Sequence, residues 1–487
     1  MSELSRKGRE QPAPFSTYLE SVADGVSQLI RLLSEHYDYV SVLSTDSAGF
    51  RAVISQKQKS LSSETMTTER GHVVRVCSSG LYAEVAFNDF DPSGVQTLAA
   101  WIKEQLDRQL SVLKACQIRP YVTELLEDAP LQLVSEMPTG QLPETADLSQ
   151  LIDKMVSLTD LAMEKGKDML DCQVQAQSTH ISKMFQTEHR DLRQSYVYSE
   201  GNLTVVVSRD GNTQMAYKGL ADRKGPEIFE GFPDLLDETL SISQDLLRAE
   251  KVVPGEYDII TTPEVSGLIA HEAFGHGVEM DMFVKGRALG AEYIDKRVGS
   301  DLVSMHEGAN TVVNVASYAF DDEGTLASDV LEIDRGILRN GICDALSAKR
   351  LGVAPTGNGK RENYAHKVYT RMTNTIFDSG DSTLEEMIAS ISHGYLLSGM
   401  HSGMEDPKHW GIQCIIERGY EIQDGRLTGK VISPVIMTGY VPDLLQSISM
   451  VSRDREVFGT GGCGKGHKEW VKVSDGGPCL KARAKLG

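Results

Sequence analysis

The chain has 487 residues, with 49 Lys and Arg against 69 Asp and Glu and a formal net charge of −20. A chain this acidic repels phosphate, which excludes a nucleic-acid binder that works by releasing counterions and disfavours an anionic membrane surface. Hydrophobic residues at 40% and charged residues at 24% exclude a disordered chain, and the length calls for two or three domains.

Residues 1–15 are charged and lack an apolar run, so they read as a disordered leader rather than a secretory signal. A helical period follows over 16–36, with Leu19, Val22, Val26, Leu29, Ile30 and Leu33 on one face and Ser16 as the N-cap. Alternating segments at 37–43, 50–55, 72–76 and 83–87 read as strands separated by glycine-containing turns. Residues 94–114 return to a helical period, with Leu98, Trp101, Ile102, Leu106 and Leu110 on one stripe. Together, residues 16–118 read as an N-terminal α/β layer domain. Residues 119–250 open with a connector holding Pro120, Pro130, Pro138 and Pro143 and continue into a helix over 147–168. They then switch to short strands over 172–219, with a two-residue hairpin signal at Asp210-Gly211, and end in a helix over 233–250. Residues 251–487 read as a mostly antiparallel β domain carrying one buried helix, with hairpins at Asn340-Gly341 and Asp424-Gly425. The expected fold class is α+β. No stretch approaches the roughly 20 apolar residues of a membrane span. Seven cysteines without a CxxC pair argue against a disulfide framework and for a cytoplasmic chain.

The chemistry concentrates between Thr262 and Gly277. Thr262 suits an N-cap, Pro263 the first helical position and Glu264 the positive end of the helix dipole. Val265, Leu268, Ile269, Ala270, Ala273 and Phe274 leave the helix apolar nearly all round, the mark of a buried helix. Into it the sequence sets His271, Glu272 and His276. Buried neutral imidazoles are good zinc ligands, and an adjacent glutamate can act as general base toward a zinc-activated water. In a regular helix, however, five steps of about 100° hold the two imidazoles roughly 140° apart. One ion cannot be shared across that angle. The segment must contain a wide turn or end before His276, and Gly275 and Gly277 permit either. The plainer alternative is a pair of core histidines beside a capping carboxylate, but a buried carboxylate without a partner is costly.

Two imidazoles leave a zinc site one protein ligand short. Residues 458–467 offer a candidate in Cys463, set in a glycine-rich loop where a metal ion or Lys465 would favour its thiolate. A phosphate loop competes, because Gly459, Gly464 and Lys465 fit GxxxxGK. Against it, Gly466 stands where the magnesium-binding Ser or Thr belongs, and too few residues follow to build a nucleotide domain.

The segment from His271 to Glu279, HEAFGHGVE, resembles the zinc motif of the TldD/PmbA family of metallopeptidases, also called modulators of DNA gyrase. Asp321-Asp322-Glu323-Gly324, Thr356-Gly357-Asn358-Gly359, Arg371-Met372-Thr373-Asn374, the loop around Cys463 and Gly477-Pro478 are similar to further family stretches in the same order. In the first half the resemblance is carried by GHVVRV at 71–76 and by Gly80. It implies His271, His276 and Cys463 as ligands of one zinc ion per chain, with Cys463 chosen over Cys414 and Cys479, and Glu272 as catalytic base. It also implies a TldD-like active subunit that hydrolyses unfolded or extended peptides with little sequence preference. Such a subunit would work as a homodimer or as a heterodimer with a TldE/PmbA-like paralogue. Where the family usually shows a glutamine, this chain has His467.

In the implied mechanism zinc lowers the pKa of a bound water, and Glu272 takes the proton and later passes it to the leaving amine. The oxyanion needs a donor besides zinc, with His467, His366, Tyr364 and Arg371 as candidates. A thiolate ligand softens the zinc and implies slow hydrolysis. A free strand edge would hold extended backbone whatever its side chains. Two other classes compete: a non-catalytic regulatory or interaction protein of the same family, and a nucleotide-binding enzyme using residues 459–465. No direct nucleic-acid partner and no membrane are expected.

Overall fold

A computed structural model describes residues 10–65, 67–116, 121–466 and 469–487. Residues 1–9 of the expected leader, Pro120 of the connector and the candidate His467 lie outside the described residues. The rest of the leader is held in place: Gln11 and Pro12 pair with Thr139 and Pro138, and Ala13 and Phe15 are buried.

Ser16 caps the helix Thr17–Ser34, its Oγ accepting from the Leu19 amide at 3.2 Å, and the apolar face from Leu19 to Leu33 is buried. The two strands expected at 37–43 and 50–55 are one strand, Tyr39–Ser55. Gly49 makes no turn. It allows close approach to the neighbouring strand, since a Cβ there would lie 2.3 Å from the Ser178 carbonyl oxygen. Tyr39–Ser55 pairs antiparallel with Arg70–Ser78 on one side and with Met169–Gln186 on the other. The full sheet runs in the order 212–222, 190–209, 169–186, 39–55, 70–78 and 81–87. Segments 16–118 and 119–250 therefore share one sheet. The strands between 169 and 222 are long rather than short, and Asp210-Gly211 joins two of them with φ of 51° and 83°. Positive φ at both positions is the turn that matches the twist of a two-residue hairpin. The connector adds Leu131–Glu136, parallel to the start of Arg190–Arg209.

Alternation then sorts the layers. Val40, Val42, Phe50, Ala52 and Ile54 of the long strand share one face, packed against the helices Thr17–Ser34 and Val95–Ala115 at one end and Leu148–Lys165 and Phe232–Arg248 at the other. Leu43 on the opposite face packs with Phe185, Leu192 and Phe320 of the second half. Trp101, expected on the apolar stripe of its helix, is 44% exposed, and Ala99 is buried instead.

In the second half, Gly255–Thr261, His393–Asp406, Gly411–Gln423, Val435–Tyr440 and Ser474–Leu486 pair in turn, and the last pairs again with the first. The strands thus close into a ring. Gly255–Thr261 with His393–Asp406 is a parallel pair, and so is Asn374–Phe377 with Ser474–Leu486. Val265, Leu268, Ile269, Ala270, Ala273 and Phe274 enter one core with Leu397, Ile412, Ile416 and Met437 of the ring. Asp424-Gly425 makes a hairpin, but Asn340-Gly341 does not. The tight turn there is Arg335-Gly336, and Gly341 instead admits the backbone of Val278, whose oxygen would lie 2.2 Å from a Cβ. Helices and strands are mixed throughout, an α+β fold. Among the described residues no helix is long and apolar enough to cross a membrane.

Candidate metal centre

Pro263 opens the helix directly after the strand Gly255–Thr261, while Thr262 contributes extended geometry and no side-chain cap bond. From Ile269 to Gly275 the winding widens to a π-helix, and His276–Val278 tightens into a 3₁₀ turn. The wider turn turns His276 back toward the face of His271, as the five-residue spacing demands. Their ring centroids lie 5.3 Å apart. Both flanking glycines are closely packed: a Cβ at Gly275 would meet the Met372 sulfur at 2.2 Å, and one at Gly277 would meet Glu405 Oε1 at 2.5 Å, so either side chain would have to move.

Cys463 arrives on a short strand, Gly462–Cys463, paired with Val471–Lys472. Its Sγ lies 3.4 Å from His276 Nε2. One ligand atom each from His271, His276 and Cys463 fall within 4.8 Å of one another, the only such group of His, Cys, Asp and Glu side chains among the described residues. His271 and Cys463 are each 4% exposed. Glu272 is half-buried beside Gly403 of the strand His393–Asp406, where a Cβ would lie 2.4 Å from its Cγ. Cys414, opposite Gly403 in the core that also holds the site helix, and Cys479, in a separate cluster, are not part of this group.

Around these groups the polar contacts are specific. Glu279 Oε2 lies 3.0 Å from His276 Nδ1 and 3.1 Å from Lys465 Nζ. Lys465 also donates to Asp281 Oδ1 at 2.7 Å and to the Thr370 carbonyl at 3.0 Å. A phosphate loop needs this amine free, and here it is enclosed in ion pairs. Arg371, 1% exposed, donates to the carbonyls of Cys463 at 2.7 Å and Glu469 at 2.5 Å, so its guanidinium is occupied by the loop backbone. Tyr364 and His366 line a different cavity, of about 740 Å³, whose walls include Arg75, Glu84 and Asp344 and none of the three clustered residues. Of the four oxyanion candidates, then, Arg371 is committed elsewhere, Tyr364 and His366 stand apart, and His467 is outside the described residues. The first half also reaches the site. Lys472 pairs with Glu200 of that sheet and donates to the Gly461 carbonyl at 2.8 Å, and Lys218 lies 3.9 Å from Glu264.

Burial opposes ionisation of the Cys463 thiol, but the two imidazoles overcome it and hold the thiol well below its ordinary range. Burial likewise opposes a charged His271, and the Cys463 thiolate raises it to about 9. The same competition leaves His276 well above its ordinary value, with Glu279 adding to the thiolate. Glu279 itself is held at about 2 because Lys465 and His276 outweigh its burial. A thiolate attended by imidazoles binds cations in place of protons. Two nitrogens and one sulfur, with the His276 ring oriented by a carboxylate on its other nitrogen, fit a zinc ion with an open fourth position. Sequence reasoning missed Glu279 and Gly403. The first was signalled by its position three residues after His276; the second had no signal, being distant in the chain.

Residues 254–480 match the family model described as the PmbA/TldA metallopeptidase C-terminal domain. The chain is 26% identical over 440 residues to a metalloprotease of Methanocaldococcus jannaschii, covering 87% of this chain and 94% of that one. It is 31% identical over 299 residues to a zinc metalloprotease TldD homolog of Saccharolobus solfataricus, covering 59% of this chain and 62% of that one. The crystal structure of TldE from Thermococcus kodakarensis superposes with a TM-score of 0.75 over 95% of this chain and all of that one, at 17% identity, which is a likeness of fold.

Proposed function

The chain belongs to the TldD/PmbA family, and from that premise we propose that it is a zinc-dependent metallopeptidase cleaving unfolded or extended peptides with little sequence preference. The reading rests above all on the convergence of His271, His276 and Cys463, the last two 187 residues apart in the chain, beside the carboxylate of Glu272. Those three side chains would hold one zinc ion, which when bound supplies a Lewis acid that polarises a carbonyl and acidifies water.

The protein's own residues account for the rest. Glu272 acts as general base on the attacking water and returns the proton to the leaving amine. Gly403 leaves its carboxylate the room to move between those positions. Glu279 fixes the His276 ring with Nε2 toward the cluster. Beyond Leu397, the strand His393–Asp406 pairs only with Gly411–Gln423 among the described residues, so its other edge is open beside Glu272. An extended peptide would add to that edge through its backbone, which supports weak sequence preference. We place the protein in the cytoplasm, as a homodimer or paired with a TldE/PmbA-like paralogue.

Glu272→Gln is the decisive variant. On an unfolded fluorogenic peptide it should lower turnover on the order of 10²- to 10⁴-fold, the usual contribution of a general base, while zinc stays at one ion per chain. Unchanged cleavage would move the protein to the non-catalytic class, and a wild-type protein that takes up no zinc would end the reading.

A further inference from the structure

We propose that Glu279 is a positioning residue that locks the two ligand-bearing segments together, joining His276 to the loop of Cys463 through Lys465 before any metal arrives. The inference rests on the zinc reading for its purpose but not for its geometry.

The two segments have little else to hold them in register. His276 sits on a 3₁₀ turn of three residues, and Cys463 sits on a strand of two. Neither element is long enough to fix a side chain to a few tenths of an ångström. Five of the eight residues from Gly459 to Gly466 are glycines, so the Cys463 loop has few side chains of its own with which to pack. A loop of that composition does not settle into one conformation unaided.

Glu279 supplies what is missing. Its side chain is 2% exposed, and its Oε2 contacts His276 Nδ1 at 3.0 Å and Lys465 Nζ at 3.1 Å together. Lys465 is two residues from Cys463, and its amine is also held by Asp281 Oδ1 at 2.7 Å and by the Thr370 carbonyl at 3.0 Å. On the other side of the carboxylate, Oε1 lies 3.9 Å from Arg371 Nε, and Arg371 grips the carbonyls of Cys463 and Glu469. One carboxylate thus faces a metal-ligand imidazole and two cations that each hold the Cys463 loop. Taking away that charge frees the imidazole to rotate and leaves Lys465 with Asp281 and the Thr370 carbonyl, neither of which touches His276. This gives Lys465 of the GxxxxGK-like run a structural purpose in place of phosphate binding.

The test compares the wild type with Glu279→Gln, which keeps the shape and removes the charge. In the zinc-stripped full-length protein, alkylation of each cysteine by iodoacetamide is timed by peptide mass spectrometry. In parallel, zinc affinity is measured by competition with a chromophoric chelator. Release of the loop should speed alkylation of Cys463 about tenfold or more while buried Cys343 and Cys414 keep their wild-type rates, and zinc affinity should fall about 10- to 100-fold, as for other outer-sphere partners. Lys465→Arg, which retains the cation, should stay near wild type in both measurements. Equal Cys463 rates in wild type and Glu279→Gln would overturn the inference. So would a parallel rise at Cys343 and Cys414, which would mean general loosening. If the wild type takes up no zinc, the peptidase reading fails, and the alkylation comparison still decides whether Glu279 holds the loop.

Discussion

A single methyl group at Gly403 isolates the contribution of Glu272. The strand His393–Asp406 passes so close to the π-helical turn that a Cβ at Gly403 would lie 2.4 Å from Glu272 Cγ, 2.8 Å from its Cβ and 3.1 Å from its Cδ. Ordinary contacts begin near 3.4 Å. Gly403→Ala therefore pushes the Glu272 side chain by about 1 Å, which in well-positioned catalytic groups costs on the order of 10²-fold in rate. The glycine backbone is outside the left-handed region, so alanine itself introduces no backbone strain. Nothing in this change reaches Cys463, so zinc content should remain that of the wild type. Gly411→Ala is the matched control, since a Cβ there meets nothing within 4 Å and Gly411 lies on the adjoining strand. The assay is kcat/KM on an unfolded fluorogenic peptide, with zinc measured by atomic emission on the same samples. Wild-type activity in Gly403→Ala would refute the assignment of Glu272 as the base. Loss of zinc together with activity would show that the strand supports the ligands and not the base.

Three further expectations are independent of that one. Cys463→Ala should lose most of its zinc by atomic emission, whereas Cys479→Ala, in a separate core cluster, should keep it. Ser16→Ala removes both the cap bond to the Leu19 amide and a 2.5 Å bond to Asp46 and should lower stability by about 1 kcal/mol in urea unfolding. His72 is fully buried between Ser44 Oγ at 2.7 Å and Tyr18 Oη at 2.9 Å, and burial lowers its pKa from 6.5 to about 4. The folded value is the lower one, so His72 contributes stability in full above pH 6.5 and loses it as pH falls toward 4. The loss is at most about 3 kcal/mol. Urea midpoints of His72→Gln should accordingly vary less than those of the wild type between pH 6.5 and 4, and equal slopes would remove His72 from the acid response.

Local signals were the legible part. The apolar period of the helix Thr17–Ser34, the Ser16 cap and the hairpins at Asp210-Gly211 and Asp424-Gly425 are all short-range, and the sequence states them without reference to the fold. The errors come from glycines and from pairing. Gly49 and Gly341 look like turn residues in one dimension, but both serve close approach of a distant backbone, that of Ser178 and of Val278. Strand length failed for the same reason. Tyr39–Ser55 holds together across Ser44–Gly49 because Met169–Gln186 pairs along it, and that partner lies more than a hundred residues downstream.

The candidate site divides along the same line. His271, Glu272 and His276 fall in one short segment, and reading the two histidines as ligands of one ion already called for the wide turn, since a regular helix would hold them about 140° apart. Their surroundings are non-local, and they alter what the charge count means. Composition assigns −20 by treating every carboxyl as ionised. Near the cluster, burial pushes Glu332 and Glu405 well above the ordinary carboxylate range, and Asp475 to about 7 despite the nearby His271. Glu279 goes the other way, lowered by Lys465 and His276 against its burial. Burial thus raises the carboxyls of Glu332, Glu405 and Asp475, while two cations lower the one that faces both an imidazole and a lysine. Glu405 stands against Gly277, next to His276, and its rise follows from burial that the His276 charge only partly offsets. The acidic total therefore describes the protein's outer field, while the field at the cluster is set by which buried carboxyls face a cation.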